Sequence, residues 1–230
     1  MSMFAAELAH AETLNKGDYV VLLHGIGSDA RFMRSMEKYL QANGFETINV
    51  DYPSRKYPIE SLVELVQAHV KVHVTDPTKK VHFVGHSMGN LVIRGLIARY
   101  RPINLGRVVM LGPPNQGSEV ADKLKNYWIY RRFFGPAGQQ LTTDQEIVRQ
   151  LLHHEIDYDI GVIAGSFTFD PISSNFILSG PNDGKVTVER TKLVGMKEHV
   201  VVRVSHTFMP WNKDVMKKTL NFLSTGHFSP

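Results

Sequence analysis

Cysteine is absent from the 230 residues, which removes disulfides, thiol nucleophiles and cysteine zinc sites. No apolar run is long enough to span a bilayer. The start, MSMFAAELAHAETLNKGDY, lacks the basic head and long apolar core of a secretory signal, so a cytoplasmic location is the default expectation. There is no phosphate-cradling G-x-x-x-x-G-K-[ST], and no dinucleotide glycine fingerprint follows the first strand-like run. An excess of one charge sign is small as well. The net charge is +4, and basic pairs such as Lys79-Lys80, Arg131-Arg132 and Lys217-Lys218 are scattered along the chain without forming a tract. A nucleic-acid binder concentrates its cations, so no nucleic-acid partner is expected; a mild preference for anionic substrates or surfaces remains open. The stretch HHEIDYD (153–159) has Tyr158 where a zinc protease would need its second histidine, so neither a metal nor a cofactor is expected.

What is present reads as one α/β domain over residues 1–230. An apolar fraction of 43% supplies a core, and no repeat or linker divides the chain. Short β-branched runs alternate with helical periodicity. YVVLLHG (19–25), FETINVDYP (45–53), VHFVG (81–85), RVVMLG (107–112), IGVIAG (160–165) and HVVVRVS (199–205) read as strands, with NFILSG (175–180) as a further candidate. Residues 30–42, 59–74, 87–100 and 212–224 read as helices. In the second of these, Leu62, Leu65, Val66, His69 and Val70 share one face. Strand–helix alternation with short connections implies a mostly parallel central sheet flanked by helices, with every strand end that can carry function on one edge. The pattern loosens over 118–160, which is too long for a plain connection and reads as a small helical cap insertion. Its aromatics Tyr127, Trp128, Tyr130, Phe133 and Phe134 form either a lid or acyl-binding wall, or the cap's own core. Arg131-Arg132 either face water or meet an anionic headgroup or a coenzyme A phosphate.

One stretch carries chemistry. Gly85-His86-Ser87-Met88-Gly89 fits G-x-S-x-G, directly between an apolar strand and an amphipathic helix. A serine at the apex of such a turn is strained, and its neighbours must be small for strand and helix to approach. The serine needs a base, and the base needs an orienting acid; behind this kind of turn they follow in the order acid, then histidine. His206 directly follows a strand. His199 opens that strand, His227 is in the tail, and His153 and His154 precede the acid. Asp183 in SGPNDGKV is the acid candidate, with Asp170 as the alternative. The backbone N–H groups of Ile26 and Met88 are the candidate donors of an oxyanion hole. Residues read as substrate-binding are His24, Gly25 and Gly27 after the first strand, Asn115 in the PPNQG loop, and Trp128 and Phe133 in the insertion.

VVLLHGIG, VHFVGHSMGNLVIR, VVMLGPPNQGSEVAD, LSGPNDGKVTVE and SHTFM, in this order over residues 20–209, resemble the lipase-like and esterase-like members of the α/β-hydrolase superfamily. The resemblance implies an eight-stranded sheet, a Ser87–Asp183–His206 triad and an acyl-enzyme route on a small-molecule acyl ester. Asn90 stands where many relatives have another small residue, with packing as the only expected consequence. Carboxylic ester hydrolysis is the leading expectation. Thioester cleavage, acyl transfer on the same triad, and a non-catalytic binding protein of this fold stay open.

Overall fold

The computed structural model describes residues 17–142, 150, 155–168 and 178–229. Six strands form one sheet: β1 (Tyr19–Leu23), β2 (Glu46–Val50), β3 (Val81–His86), β4 (Leu105–Leu111), β5 (Ile160–Gly165) and β6 (Glu198–Val202). The order is β2-β1-β3-β4-β5-β6, and every neighbouring pair is parallel. Among the described residues the sheet therefore has two strands fewer than the resemblance implies. Residues 175–177 of NFILSG lie outside the described part, and 178–180 are not strand.

Alternation along each strand sends side chains to both faces of the sheet. Val21 and Leu23 of β1, with Phe83 of β3, join one buried cluster, while Val20, Leu22 and Val84 join the other. On the first face pack α2 (Ile59–His73) and α3 (Gly89–Tyr100). On the second pack α1 (Arg34–Ala42), after a 3-10 turn at Ala30–Met33, and α6 (Lys213–Thr225). The buried stripe of α2 is Ile59, Leu62, Val63, Val66 and Val70. Leu65 is 45% exposed, a correction to the face read from sequence. Helical rotation turns residue 65 away from the stripe set by 59, 62, 66 and 70. Between β4 and β5 lie α4 (Glu119–Leu124) and α5 (Trp128–Gln139), the latter kinked at Gly135, whose backbone is not helical. Among the described residues no helix is long and apolar enough to cross a membrane.

Because all strands run parallel, their C-terminal ends share one edge. Leu23 sits in register with Val50 on one side and Gly85 on the other, and His86 with Leu111. His24-Gly25, Ser87, Gly112 and the turn reaching His206 all leave from this edge.

Candidate active site

The turn after β3 is built by contact distances that leave no room for side chains. A Cβ on Gly85 would lie 2.3 Å from the Asn90 side-chain oxygen, and one on Gly89 would lie 2.7 Å from the carbonyl oxygens of Leu23 and His24. Strand and helix are thus drawn together on both sides of Ser87. Ser87 has φ of 53°, the one positive φ at a non-glycine residue among the described residues. That left-handed conformation is unfavourable for a residue with a side chain and must be imposed by its surroundings. The imposing contacts are visible. The Ser87 amide donates to the Leu111 carbonyl at 2.9 Å, and the Asn90 side-chain amide donates to the carbonyls of Ser87 (2.9 Å) and Leu111 (3.2 Å). Asn90 is fully buried and ties the turn to the end of β4. The expectation that it would matter for packing alone is corrected: a side-chain amide satisfies two backbone acceptors that a smaller residue would leave unpaired.

Asp183 and His206 meet across 23 residues of sequence. His206 Nδ1 donates to Asp183 Oδ2 at 2.8 Å, and both side chains are buried. The other carboxylate oxygen, Oδ1, accepts the amides of Lys185 (2.9 Å) and Val186 (2.8 Å). The His206 amide in turn donates to the Asp183 carbonyl at 3.0 Å. The Asn-Asp-Gly turn thereby holds the carboxylate from its own backbone. Below the pair runs Gly112 with φ of 52°, where a Cβ would lie 3.0 Å from His206 Nδ1 and 3.1 Å from Asp183 Oδ2. Asp170, the alternative acid, and His153 and His154 lie outside the described residues. His199 sits at the start of β6 and contacts Thr191 Oγ1 at 2.9 Å, and His227 contacts Glu198 at 2.5 Å.

Ser87 and His206 line one cavity of about 290 Å³, whose walls carry Ile26, Phe32, Leu124, Phe134 and Leu141. Its charged rim residue is Lys185. Gly25 also lines it: a Cβ there would come 3.0 Å from the Ser87 Cβ, so the loop after β1 passes directly over the serine. Among the described residues the amides of Ile26 and Met88 donate to no protein acceptor. Met88 immediately precedes α3, where the helix field favours negative charge.

Several residues read as substrate-binding are placed elsewhere. His24 is fully buried and backs the loop: Nδ1 donates to the Gly25 carbonyl at 2.8 Å, the ring stacks on Tyr52 at 4.2 Å, and the Tyr52 hydroxyl donates to the His24 carbonyl. Gly27 turns the chain with φ of 77° and donates to Ser54 Oγ. Asn115 is buried between the Thr191 carbonyl, which it meets at 2.8 Å, and Arg94. Trp128 and Phe133 are exposed; Phe134 is the aromatic that reaches the cavity. The wall residues Phe32, Leu124 and Leu141 were not read from sequence, because they come from three separate segments with no shared pattern. Among the described residues no cluster of metal-ligating side chains occurs.

His86, beside the serine, is buried, borders the same cavity and contacts the backbone of the dyad. Its Nε2 donates to the His206 carbonyl at 2.9 Å, and the two rings lie 4.8 Å apart. Burial first, and the neighbouring His206 second, push it down to about 3, so it is neutral in the folded protein. Burial lowers His24 and His82 in the same sense. An unfolded histidine takes up a proton near 6.5, so below that pH the unfolded state binds more protons and stability falls with falling pH. For His86 alone the loss is about 1.4 kcal/mol per pH unit, or roughly 2 kcal/mol between about pH 6.5 and about pH 5. Urea denaturation over that interval is expected to show the loss in the parent and a shallower slope in His86→Gln; parallel slopes would remove His86 from the account.

A family model described as palmitoyl protein thioesterase matches residues 19–159. Among curated proteins, no sequence matches the chain. Solved structures do resemble it. A lipase of Bacillus licheniformis in its mature form superposes with a TM-score of 0.72 at 19% identity, covering 90% of this chain and 89% of that one. A metagenomic carboxyl esterase gives 0.69 at 15% identity, over 83% and 64% of the two chains. A thioesterase from the prodiginine biosynthetic pathway of Streptomyces coelicolor gives 0.53 at 15% identity, over 92% and 91%.

Proposed function

Since the chain belongs to the palmitoyl protein thioesterase family, within the α/β-hydrolase superfamily, we propose that it cleaves acyl esters by covalent catalysis at Ser87, with His206 as base and Asp183 as its orienting acid. The observation that carries this reading is the buried 2.8 Å contact between His206 Nδ1 and Asp183 Oδ2, beside the cavity that also holds the strained Ser87.

The geometry supports a definite proton path. A carboxylate only accepts, so the Asp183 contact supports the imidazole tautomer with its proton on Nδ1 and a lone pair on Nε2. Nε2 takes the proton from Ser87 Oγ as that oxygen bonds to the acyl carbon. The carbonyl oxygen becomes an oxyanion against the amides of Ile26 and Met88. Collapse of the tetrahedral intermediate breaks the acyl–heteroatom bond, and the leaving group departs with the proton from His206 Nε2. Water then repeats the sequence on the acyl-enzyme and frees the acid and Ser87. The apolar walls suit an acyl chain.

A second reading, thioester cleavage, is favoured by the family model. The same residues serve, because a thiolate leaves without needing as much protonation as an alkoxide. Fluorophosphonate is expected to label the folded protein once, at Ser87, as located by peptide mass mapping. Labelling at another residue, or none, overturns the assignment. With labelling established, O-acyl and S-acyl substrates of the same chain length separate the two readings. A kcat/KM ratio of about tenfold or more in either direction assigns the class, a difference of about 1.4 kcal/mol in transition-state binding. Labelled, folded protein that turns over neither substrate would favour the binding-protein alternative.

A further inference from the structure

Six basic residues fall in two stretches, 52–59 and 123–142, that hold no acidic residue: Arg55, Lys56, Lys123, Lys125, Arg131 and Arg132. With the chain at +4 overall, the remainder carries a net −2, so the whole positive excess resides in these two stretches. They are 64 residues apart at their nearest ends, which is why the charges look scattered in sequence. The fold joins them. Gly135 of α5 lies against the Arg55 backbone so closely that a Cβ there would sit 1.9 Å from the Arg55 carbonyl oxygen. Arg55 also lies over the Phe133 ring at 5.5 Å and donates to the Phe133 carbonyl at 3.5 Å.

The patch combines two features. Elsewhere many cations are paired, among them Arg31 with Asp29, Lys79 with Glu46, Arg99 with Glu64, Arg101 with Asp157, and Arg107 and Lys197 with Asp159, while others such as Lys38 and Lys71 stand singly without exposed aromatics gathered beside them. Among the described residues Arg55, Lys56 and Arg132 are exposed and form no ion pair. Four exposed aromatics accompany them: Tyr57 (47%), Tyr127 (64%), Trp128 (71%) and Phe133 (61%). Amphipathic rings that stay wet beside unpaired cations match a bilayer interface, where rings settle at headgroup depth and cations meet anionic lipid.

We infer that the face formed by residues 55–57 and the outer side of α5 docks on a bilayer surface bearing anionic headgroups. The inner side of α5 places Phe134 in the wall of the candidate active-site cavity, so docking brings that cavity beside lipid-borne acyl chains. Docking does not depend on the hydrolysis proposed above, and its test reads binding alone.

The full chain is sedimented with vesicles of phosphatidylcholine, or of phosphatidylcholine with about one-third phosphatidylserine, at low and high salt. Binding is expected on the anionic vesicles, weakened by salt, and little on the neutral ones. The triple variant Arg55→Gln, Lys56→Gln, Arg132→Gln is expected to lose about 100-fold in apparent affinity, at roughly fivefold per charge. Removing as many charges from α6 (Lys213→Gln, Lys217→Gln, Lys218→Gln) is expected to cost far less. Trp128→Ala is a second, charge-neutral variant that should also weaken binding, and in a Trp211→Phe background the Trp128 emission should shift to the blue on vesicles. Equal binding to both vesicle types, equal losses in the two charge variants, or an unmoved Trp128 emission overturns the inference. So does tighter capture by duplex DNA or polyglutamate than by the anionic vesicles.

Discussion

Replacing Ser87 by alanine is expected to lower kcat on an acyl ester by about four to six orders of magnitude, with the melting temperature little changed. The variant removes one oxygen and nothing that shapes the turn. The glycine contacts at 85 and 89, the Asn90 ties and the amide bond to Leu111 involve backbone or other side chains. Alanine keeps a Cβ, so it carries the same left-handed strain as serine. What is lost is the covalent intermediate. The amides proposed as the oxyanion hole remain, so a residual rate above water should persist. Stopped assays on matched, folded parent and variant check this. A variant within about tenfold of the parent would show that the attacking oxygen is elsewhere, because no other group could supply that rate through the same route.

Asp183→Asn is expected to lower kcat by about 10⁴-fold while the protein stays folded. The reason lies in how the carboxylate is divided. Oδ1 accepts two backbone amides, so an asparagine must turn its carbonyl oxygen to Lys185 and Val186 to keep them satisfied. Its NH₂ group then faces His206 Nδ1. It can only donate there, which forces the imidazole proton onto Nε2. That is the atom that must accept from Ser87, so the base is present but in the wrong tautomer. KM should change little, since no substrate contact is removed. Asp183→Ala would be a poorer probe, because it also orphans two buried amides. A loss of under about tenfold for Asp183→Asn, with folding verified, would transfer the orienting role to another group.

The strand ends were legible in the sequence, and with them the edge on which Ser87, Asp183 and His206 meet. Buried parallel strands are short β-branched runs, and a turn without loop residues leaves few conformations open to the serine between its glycines. The Asn-Asp-Gly turn was legible for a related reason: its backbone N–H donors need an acceptor close at hand, and the Asp183 carboxylate provides one. The cavity walls were less legible. Trp128 and Phe133 stood out by ring count, yet a helix rotates about 100° per residue, so Phe134 faces inward while Phe133 faces out. Asn90 read as a packing residue because sequence does not show which carbonyls lack partners at a tight turn. The cationic face was illegible for a different reason: its two halves become neighbours only when α5 folds back onto the loop at Arg55. The strand count also differs, with six among the described residues against eight implied by resemblance.

Gly112 has a bearing on how this protein could be re-engineered. It touches both members of the histidine–carboxylate pair from below and contributes no polar side-chain atom. A methyl group at that position would wedge the imidazole away from its partner, silencing the site through shape alone and leaving every ionisable group in the sequence. A combinatorial library aimed at acyl-chain preference should therefore hold residue 112 fixed and spend its diversity on Leu124, Phe134 and Leu141, which border the same cavity without bracing the pair.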